Sequence, residues 1–576
     1  MTELNKLKEL GEAPSFLTEE GFKTLSNGYL LPNETPKKMY ERVSNAAASS
    51  LNKPELASKF FDIIWKNWLC LSTPIASNLG TNKGLPIACY ASSVPDNTIG
   101  IFKGYTETAM LSKYGGGMGK FWGKIRPRGA PISKGGQSDG VVSWLKIEEN
   151  VIQAVAQGAT RRGASANYLP IEHDDSEEFI DIRRQTGDPS RRCLSNSFHH
   201  GVTIKDKFLQ EALDGNVKNR ELFNKLLKTR LEMGEPYIVF LDNVNRANPA
   251  AYKNNGLEVE TSNLCSEITL YTDDKHTFVC CLSSMNLARF DEWKNTDAVN
   301  LSIKFLDAVM TEFLNKAKDI EGFENSVRFA SKSRALGLGG LGWHSLLQKR
   351  MIPFDSFDAM QLNAEVFRTI KYQAEQASKE LAEEYGEPEW CKGTGMRNSH
   401  LTTVAPTVSN ALISGNLSQG IEPLISNMFS QKSAKGVFIQ KNPMLQQLLM
   451  EKGLDTFETW QLINENGGSV RNVKGLSPEE KEVFLTAREI NQFAIVRQAG
   501  QRQRFIDQSQ SVNLFFAVPS DLNDNELRKK LGKYVFDVHM EAWQLGVKSL
   551  YYCRSESPLK GDSIYREASD CKSCEA

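Results

Sequence analysis

The spacing of hydrophobic and polar positions changes several times along the chain, and each change marks a new kind of element. Residues 1 to about 85 carry apolar side chains at helical spacing; Phe60, Phe61, Trp65 and Trp68 ride on such a stripe between Glu55 and Cys70. A mainly helical N-terminal region is predicted. From Gly84 to about Arg192, short apolar runs alternate with glycine-rich turns, as strands and loops around a site would. Periodicity then predicts a helix over Asp206 to Met233, stopped by Gly234-Glu235-Pro236. The fully apolar run Tyr237-Ile238-Val239-Phe240-Leu241 reads as a buried parallel strand. Alternation continues through Phe367–Tyr385 and beyond, which predicts an α/β fold with a parallel sheet or barrel. Residues 425–500 are more polar and read as a smaller inserted domain. After Tyr552 the apolar pattern stops, as in a mobile tail.

Composition narrows the function classes. The chain has 576 residues, enough for one large enzyme domain with appendages. Its formal net charge of -1 offers no basic field for a nucleic acid polymer or a membrane surface. No run approaches the roughly 20 apolar residues that cross a bilayer. The start, Met1-Thr2-Glu3-Leu4-Asn5-Lys6, lacks the layout of a secretion signal. A cytoplasmic protein is expected, and there structural disulfides are rare, so ten cysteines invite a search for reactive ones.

Four cysteine patterns stand out. In Ser262-Asn263-Leu264-Cys265-Ser266-Glu267, Asn263, Cys265 and Glu267 alternate, so an extended segment would put a thiol, an amide and a carboxylate on one side. That set suits radical or nucleophilic chemistry with a general base; taken alone, Cys265 reads more readily as a buried strand-edge thiol. Cys89 and Cys280 lie in apolar runs and each alone reads as core. The terminal Cys571-Lys572-Ser573-Cys574 is a CxxC without a second pair, so it suits thiol–disulfide exchange better than a four-ligand zinc site. No metal site is expected. The cluster Gly115-Gly116-Gly117-Met118-Gly119-Lys120-Phe121 is not a phosphate-binding P-loop: Tyr114 replaces the first glycine and Phe121 the final Ser or Thr.

Together these segments resemble the large, catalytic subunit of class I ribonucleotide reductases. Asn263-Leu264-Cys265-Ser266-Glu267 is similar to that family's finger loop, and Cys89 and Cys280 to its reducing pair. Cys571 and Cys574 resemble its shuttle cysteines, although many members space the two further apart. Ala405-Pro406-Thr407-Val408-Ser409-Asn410, with Gly420-Ile421-Glu422-Pro423, resembles its substrate-phosphate loop. Lys548-Ser549-Leu550-Tyr551-Tyr552 resembles the tyrosine pair of class I enzymes. The motifs run in family order from about residue 73 to the C-terminus.

The resemblance implies a ten-stranded α/β barrel of two parallel half-sheets around a central finger loop, with an N-terminal helical domain and a small α+β domain. Its implied boundaries are 1–85 for the helical domain and 86–424 for the barrel with finger loop 261–268. An insertion at 425–500, the barrel end at 501–554 and a redox tail at 555–576 complete it. It also implies reduction of ribonucleoside diphosphates. Cys265 would carry a thiyl radical that abstracts the 3′-hydrogen, Glu267 would accept the 3′-hydroxyl proton, and Asn263 would hold the ribose. Cys89 and Cys280 would supply two electrons, restored through Cys571 and Cys574 by a thioredoxin or glutaredoxin. Thr73, Ala88, Gly117, Pro406, Thr407, Val408, Ser409 and Asn410 would contact substrate.

No cofactor is expected in this chain. A metal-containing small subunit would supply the radical through Tyr552 and Tyr551, which as neighbours in a regular strand would face opposite ways, so irregular backbone is expected there. A homodimer is implied, with dNTP or ATP effectors at Asp96 and Arg126 and at Gln157 and Arg161 of the loop Gln157-Gly158-Ala159-Thr160-Arg161-Arg162-Gly163. Ser133 departs from the arginine some members carry. Family-like sequence begins near Leu17-Thr18, which implies no N-terminal activity cone. Three other readings stay open: an adenosylcobalamin-dependent reductase, against which the tyrosine pair argues; a glycyl-radical enzyme, which has no radical loop here; and an inactive nucleotide-sensing subunit.

Overall fold

Ten strand segments close into a ring around one buried loop. The computed structural model describes residues 2–133, 135–155, 163–433, 436–518 and 525–555, without side chains over 429–439. Gln157, Arg161, Cys571 and Cys574 lie outside the described residues. The chain opens on helices Glu3–Glu9, Glu19–Ser26, Pro36–Ser50 and Leu56–Trp65. The first three are capped by Thr2, Thr18 and Thr35, whose hydroxyls accept backbone N–H groups of the first turn. Strand β1 (Leu69–Leu71) and a short helix, Thr73–Asn78, lead into the barrel.

Five parallel strands make the first half: β2 (Cys89–Ser93), β3 (Gly117–Phe121), β4 (Ala164–Pro170), β5 (Phe198–Ile204) and β6 (Tyr237–Phe240). Each neighbouring pair is joined by a helix-bearing connection, as parallel pairing requires. The helix expected over 206–233 is two helices, Asp206–Leu213 and Val217–Met233. Gly215, at φ +102°, turns the chain between them, and Asn216 caps the second. Gly234 ends that helix in the left-handed conformation, as expected of a stop signal.

The second half starts with β7 (Phe278–Asn286), antiparallel to β2 on one edge and to β1 near its far end. Strand β8 (Leu336–Leu341) runs parallel to β7. Parallel bridges Leu338↔Thr402 and Val404↔Gln510 add two more segments. Strands β9 (Met428–Ser433) and β10 (Gly436–Lys441) form a separate hairpin. Strand β11 (Leu514–Phe516) continues the 510 segment, while β12 (Ser549–Leu550) and β13 (Cys553–Ser555) end the barrel. Strand β12 pairs antiparallel with β6, and β13 parallel with β11. The two parallel halves therefore meet antiparallel at both seams. Strands β5, β6, β7 and β8 are buried along their whole length, as strands covered on both faces are.

The hairpin β9–β10 and helices Pro443–Glu451, Phe457–Glu465 and Pro478–Val483 surround a second, smaller core that includes Leu445, Leu449, Trp460, Ile463 and Phe484. Helix Gln492–Gln503 returns to the main core through Ile495, Val496 and Ala499. Among the described residues no helix is long and apolar enough to cross a membrane.

Candidate active site

The segment 261–268 threads the ring and is buried throughout. It does not run extended, as the alternating pattern suggested. It folds into a turn at Leu264-Cys265-Ser266, with Ser266 in the left-handed region at φ +64°. The turn brings Asn263 back onto Glu267: Asn263 Nδ2 donates to Glu267 Oε1 at 2.9 Å, and Asn263 Oδ1 accepts from the Ile268 N–H at 3.1 Å. The three chemical groups are thus gathered by a hydrogen-bonded turn, not by strand alternation.

Barrel side chains fix that turn from several sides. The Tyr168 phenol on β4 donates to Asn263 O at 2.6 Å and lies 2.9 Å from Ser266 Oγ. Ser511 Oγ donates to Cys265 O at 2.7 Å, and Ser549 Oγ to Ser266 O at 2.6 Å. Thr403 Oγ1 donates to Glu267 O at 2.6 Å. Buried backbone carbonyls need such partners. Gly119 on β3 faces the loop so closely that an added Cβ would stand 2.0 Å from Ser262 O. At Gly117 an added Cβ would meet Leu264 Cδ2 at 2.9 Å, so this glycine gives way to the loop itself.

Cys265 is 3% exposed and Glu267 fully buried. Burial pushes the Glu267 carboxyl up to about 7, against the opposing hydrogen bonds from backbone, Asn263 and Ser511. Cys89 and Cys280 face each other in register across the β2–β7 seam. Gln508 Nε2 reaches Cys280 Sγ at 3.3 Å, and burial drives that thiol well above its ordinary value. Neighbouring Cys281 is in register with Leu336 of β8.

The backbone breaks between β12 and β13, and the two tyrosine rings come together there. The Tyr551 and Tyr552 ring centroids are 4.3 Å apart at 52°. The Tyr551 phenol is hydrogen-bonded to the Cys265 thiol. Tyr237 adds a third ring, 4.7 Å from Tyr551 and 5.1 Å from Tyr552. On the outer side Tyr552 Oη lies 3.4 Å from His199 Nδ1, which is 2.7 Å from Glu235 Oε1. Burial would raise the Glu235 carboxyl, but the charges of His199 and Arg183 hold it well below the usual range.

The proposed phosphate segment ends in helix Val408–Ile413, with Thr407 at φ +56° accepting the Gly420 N–H on Oγ1 at 2.8 Å. Asn410 Oδ1 is buried without a hydrogen-bond partner and lines a small cavity with Asn67, Cys70 and Ser414. Tyr29, hydrogen-bonded to Thr73 Oγ1 at 2.8 Å, lines the same cavity. Ala88 O accepts the Gly117 N–H at 2.7 Å, beside the thiol pair. Arg126 Nε donates to Asp96 Oδ2 at 2.8 Å.

A sequence model described as "Ribonucleotide reductase, barrel domain" matches residues 87–216, 210–393 and 388–553, and one described as "Ribonucleotide reductase, all-alpha domain" matches 15–84. The chain belongs to the ribonucleotide reductase large-subunit family. Within that family a protein of Frog virus 3 (isolate Goorha) is 38% identical over 545 residues, covering 91% of this chain and 93% of its own length. The ribonucleoside-diphosphate reductase large subunit of Invertebrate iridescent virus 3 is 32% identical over 637 residues, with 96% and 98% covered. The solved class Id ribonucleotide reductase alpha subunit of Actinobacillus ureae superposes with TM-score 0.85 at 39% identity, covering 95% of this chain and 99% of that one. This reductase chain is therefore an enzyme with the class I barrel and helical N-terminal domain.

Sequence reasoning missed the groups that hold the finger loop in this reductase: Gly119, Tyr168, Thr403 and Ser511. It also missed Tyr237 and His199 beside the tyrosine pair. Only Gly119 carried a local signal, as a small residue alternating with Gly117 on a strand.

Proposed function

We propose that this chain reduces ribonucleoside diphosphates to 2′-deoxyribonucleoside diphosphates with a thiyl radical on Cys265. The observation that carries the reading is the hydrogen bond between the Tyr551 phenol and the Cys265 thiol, in the same turn that joins Asn263 to Glu267. Cys265 takes the 3′-hydrogen atom and later returns it. Glu267 takes the 3′-hydroxyl proton, for which a carboxyl poised near neutrality is suited. Asn263, fixed by Glu267 and Ile268 N–H, holds the ribose hydroxyls in place. The 2′-oxygen leaves as water, and Cys89 and Cys280 lose two electrons and two protons as one disulfide forms. Cys571 and Cys574 restore these thiols by exchange, and a thioredoxin or glutaredoxin re-reduces them.

The radical arrives from a metal-containing small subunit, through Tyr552 and then Tyr551. Thr73, Ala88, Gly117 and residues Pro406, Thr407, Val408, Ser409 and Asn410 line the substrate side. Asp96 and Arg126, with Gln157 and Arg161, hold a dNTP or ATP effector in a homodimer, and the enzyme works in the cytoplasm.

The deciding experiment is reconstitution with the small subunit, a dithiol and each ribonucleoside diphosphate, for the parent and Cys265→Ser. Deoxynucleotide should form with the parent alone. Its formation by Cys265→Ser would refute the reading, as would turnover with adenosylcobalamin and no partner protein.

A further inference from the structure

The break that brings the two tyrosine rings into contact creates a backbone problem. Tyr551 N–H still finds a main-chain partner, Val512 O, at 2.8 Å. Tyr552 N–H does not; it donates to the side-chain Oδ1 of Asn513 at 2.9 Å. Asn513 is 2% exposed, and its Nδ2 in turn donates to Glu422 Oε1 at 2.6 Å. One amide therefore satisfies a part-buried N–H on one side and a buried carboxylate on the other.

Glu422 has no evident reason to be buried apart from this contact and the nearby Arg554. It is 8% exposed, and burial pushes its carboxyl up to about 7, with the Arg554 charge and the Asn513 hydrogen bond pulling it down. The Arg554 guanidinium lies 5.4 Å from the Tyr552 ring centroid. Two residues before Glu422, the Gly420 N–H donates to Thr407 Oγ1. Gly420 holds φ +45°, and an added Cβ there would stand 2.9 Å from Ala405 O. The segment carrying Glu422 is thus seated on the loop 405–410.

We propose that Asn513 and Glu422 are positioning residues for Tyr552, tying the outer tyrosine of the relay to the loop that contacts the substrate diphosphate. The proposal rests on the functional reading above. Without the Asn513 acceptor, Tyr552 N–H loses its protein partner and the segment relaxes toward regular strand, in which successive side chains face opposite ways. The 4.3 Å ring contact is then lost. Movement of the loop on diphosphate binding reaches Tyr552 through Gly420, Glu422 and Asn513.

The test places 3-fluorotyrosine at position 552 of the full chain and follows its fluorine resonance as a ribonucleoside diphosphate is added. In the parent the resonance shifts on binding. In Asn513→Ala and Glu422→Ala it is displaced before addition and no longer responds. Glu422→Gln, whose amide oxygen still accepts from Asn513, behaves as the parent does. With the small subunit present, kcat of Asn513→Ala falls about 10²-fold, as for a misplaced reacting group, while KM for the diphosphate holds. An unchanged response in a folded Asn513→Ala overturns the proposal. If that variant does not fold, equal responses of Glu422→Ala and Glu422→Gln overturn it. Calorimetry on the parent separates the two readings: no diphosphate binding there overturns the functional reading and the tie with it.

Discussion

Cys89 and Cys280 stand directly opposite one another where β2 meets β7 antiparallel. Opposed residues in such a pair have Cα atoms about 4.5–5.5 Å apart, within the separation a disulfide spans. Cys281, the next residue, points to the other face and is in register with Leu336.

With the tail exchange blocked by Cys571→Ser and Cys574→Ser, a single turnover without external reductant should therefore consume two thiols and leave one Cys89–Cys280 bridge. Cys281→Ser should form that bridge normally, whereas Cys89→Ser or Cys280→Ser should not. Alkylation and peptide mass mapping after the turnover decide it; a bridge to Cys281 would count against the assignment.

Glu267 sets a pH window. Burial raises its carboxyl from 4.5 to about 7, so the ionised form that accepts a proton becomes populated only as pH rises through about 7. The kcat should climb through that range, and Glu267→Gln should flatten the limb and cost roughly 10²–10⁴-fold in rate. Stability runs the other way. The folded chain keeps a proton that the unfolded chain releases above 4.5, so this group's contribution is full below 4.5 and is lost as pH rises through about 7. Melting temperatures across the window should fall less steeply for Glu267→Gln, and only part of the slope should go because Glu422 is raised in the same direction. An unchanged rate profile in the variant would exclude Glu267 as the base.

Two glycines give opposite forecasts. Gly119→Ala would put a Cβ 2.0 Å from Ser262 O, so it should cost about 1–3 kcal/mol and displace the finger loop, with loss of activity. Gly532, on helix Asn525–Gln544, has no atom within 4 Å of an added Cβ. Gly532→Ala should raise stability by up to about 1 kcal/mol and leave activity alone. Denaturant titrations with parallel activity assays compare them, and similar effects at both positions would contradict the packing described here.

Tyr551→Phe keeps the ring among Tyr237 and Tyr552 but removes the phenol that meets the Cys265 thiol. Turnover should stop while calorimetric diphosphate binding continues. Retained turnover would place the radical route elsewhere.

The Arg126–Asp96 pair is partly exposed, at 38% and 32% of the two side chains, so its own worth is about 0–1 kcal/mol. Arg126→Ala should leave the melting temperature nearly unchanged and weaken dNTP effector binding roughly 10–100-fold, the loss of one charge-assisted hydrogen bond. Unaltered effector affinity would move the effector site off this pair.

Much of the fold is legible in local pattern. The helical stripe through Phe60 and Trp65 predicts a helical start because 3.6-residue spacing makes one continuous buried face. The run Tyr237–Phe240 predicts a parallel strand because such strands are covered on both sides. Local pattern missed the break at Gly215, where a single residue at positive φ interrupts an otherwise helical stretch. In the finger loop it suggested the wrong backbone: alternation pointed to an extended segment, but Ser266 at φ +64° and the Asn263–Glu267 hydrogen bond make a turn.

The amino-acid order by itself determined which elements form and which residues are candidates for chemistry, because periodicity, caps and motifs act over a few neighbouring positions. Tertiary structure alone decided what those residues meet. Cys89 opposes Cys280 across 191 positions, counted as 280 minus 89, because strand register is set by the closing of the ring. Ser511 and Ser549 reach the finger loop only because the barrel's last segments return beside it. Tyr552 N–H meets Asn513 Oδ1 only because the segment carrying Asn513 lies beside the barrel's end. Contacts of this range depend on how buried polar groups are satisfied after the chain has closed, which no local pattern encodes.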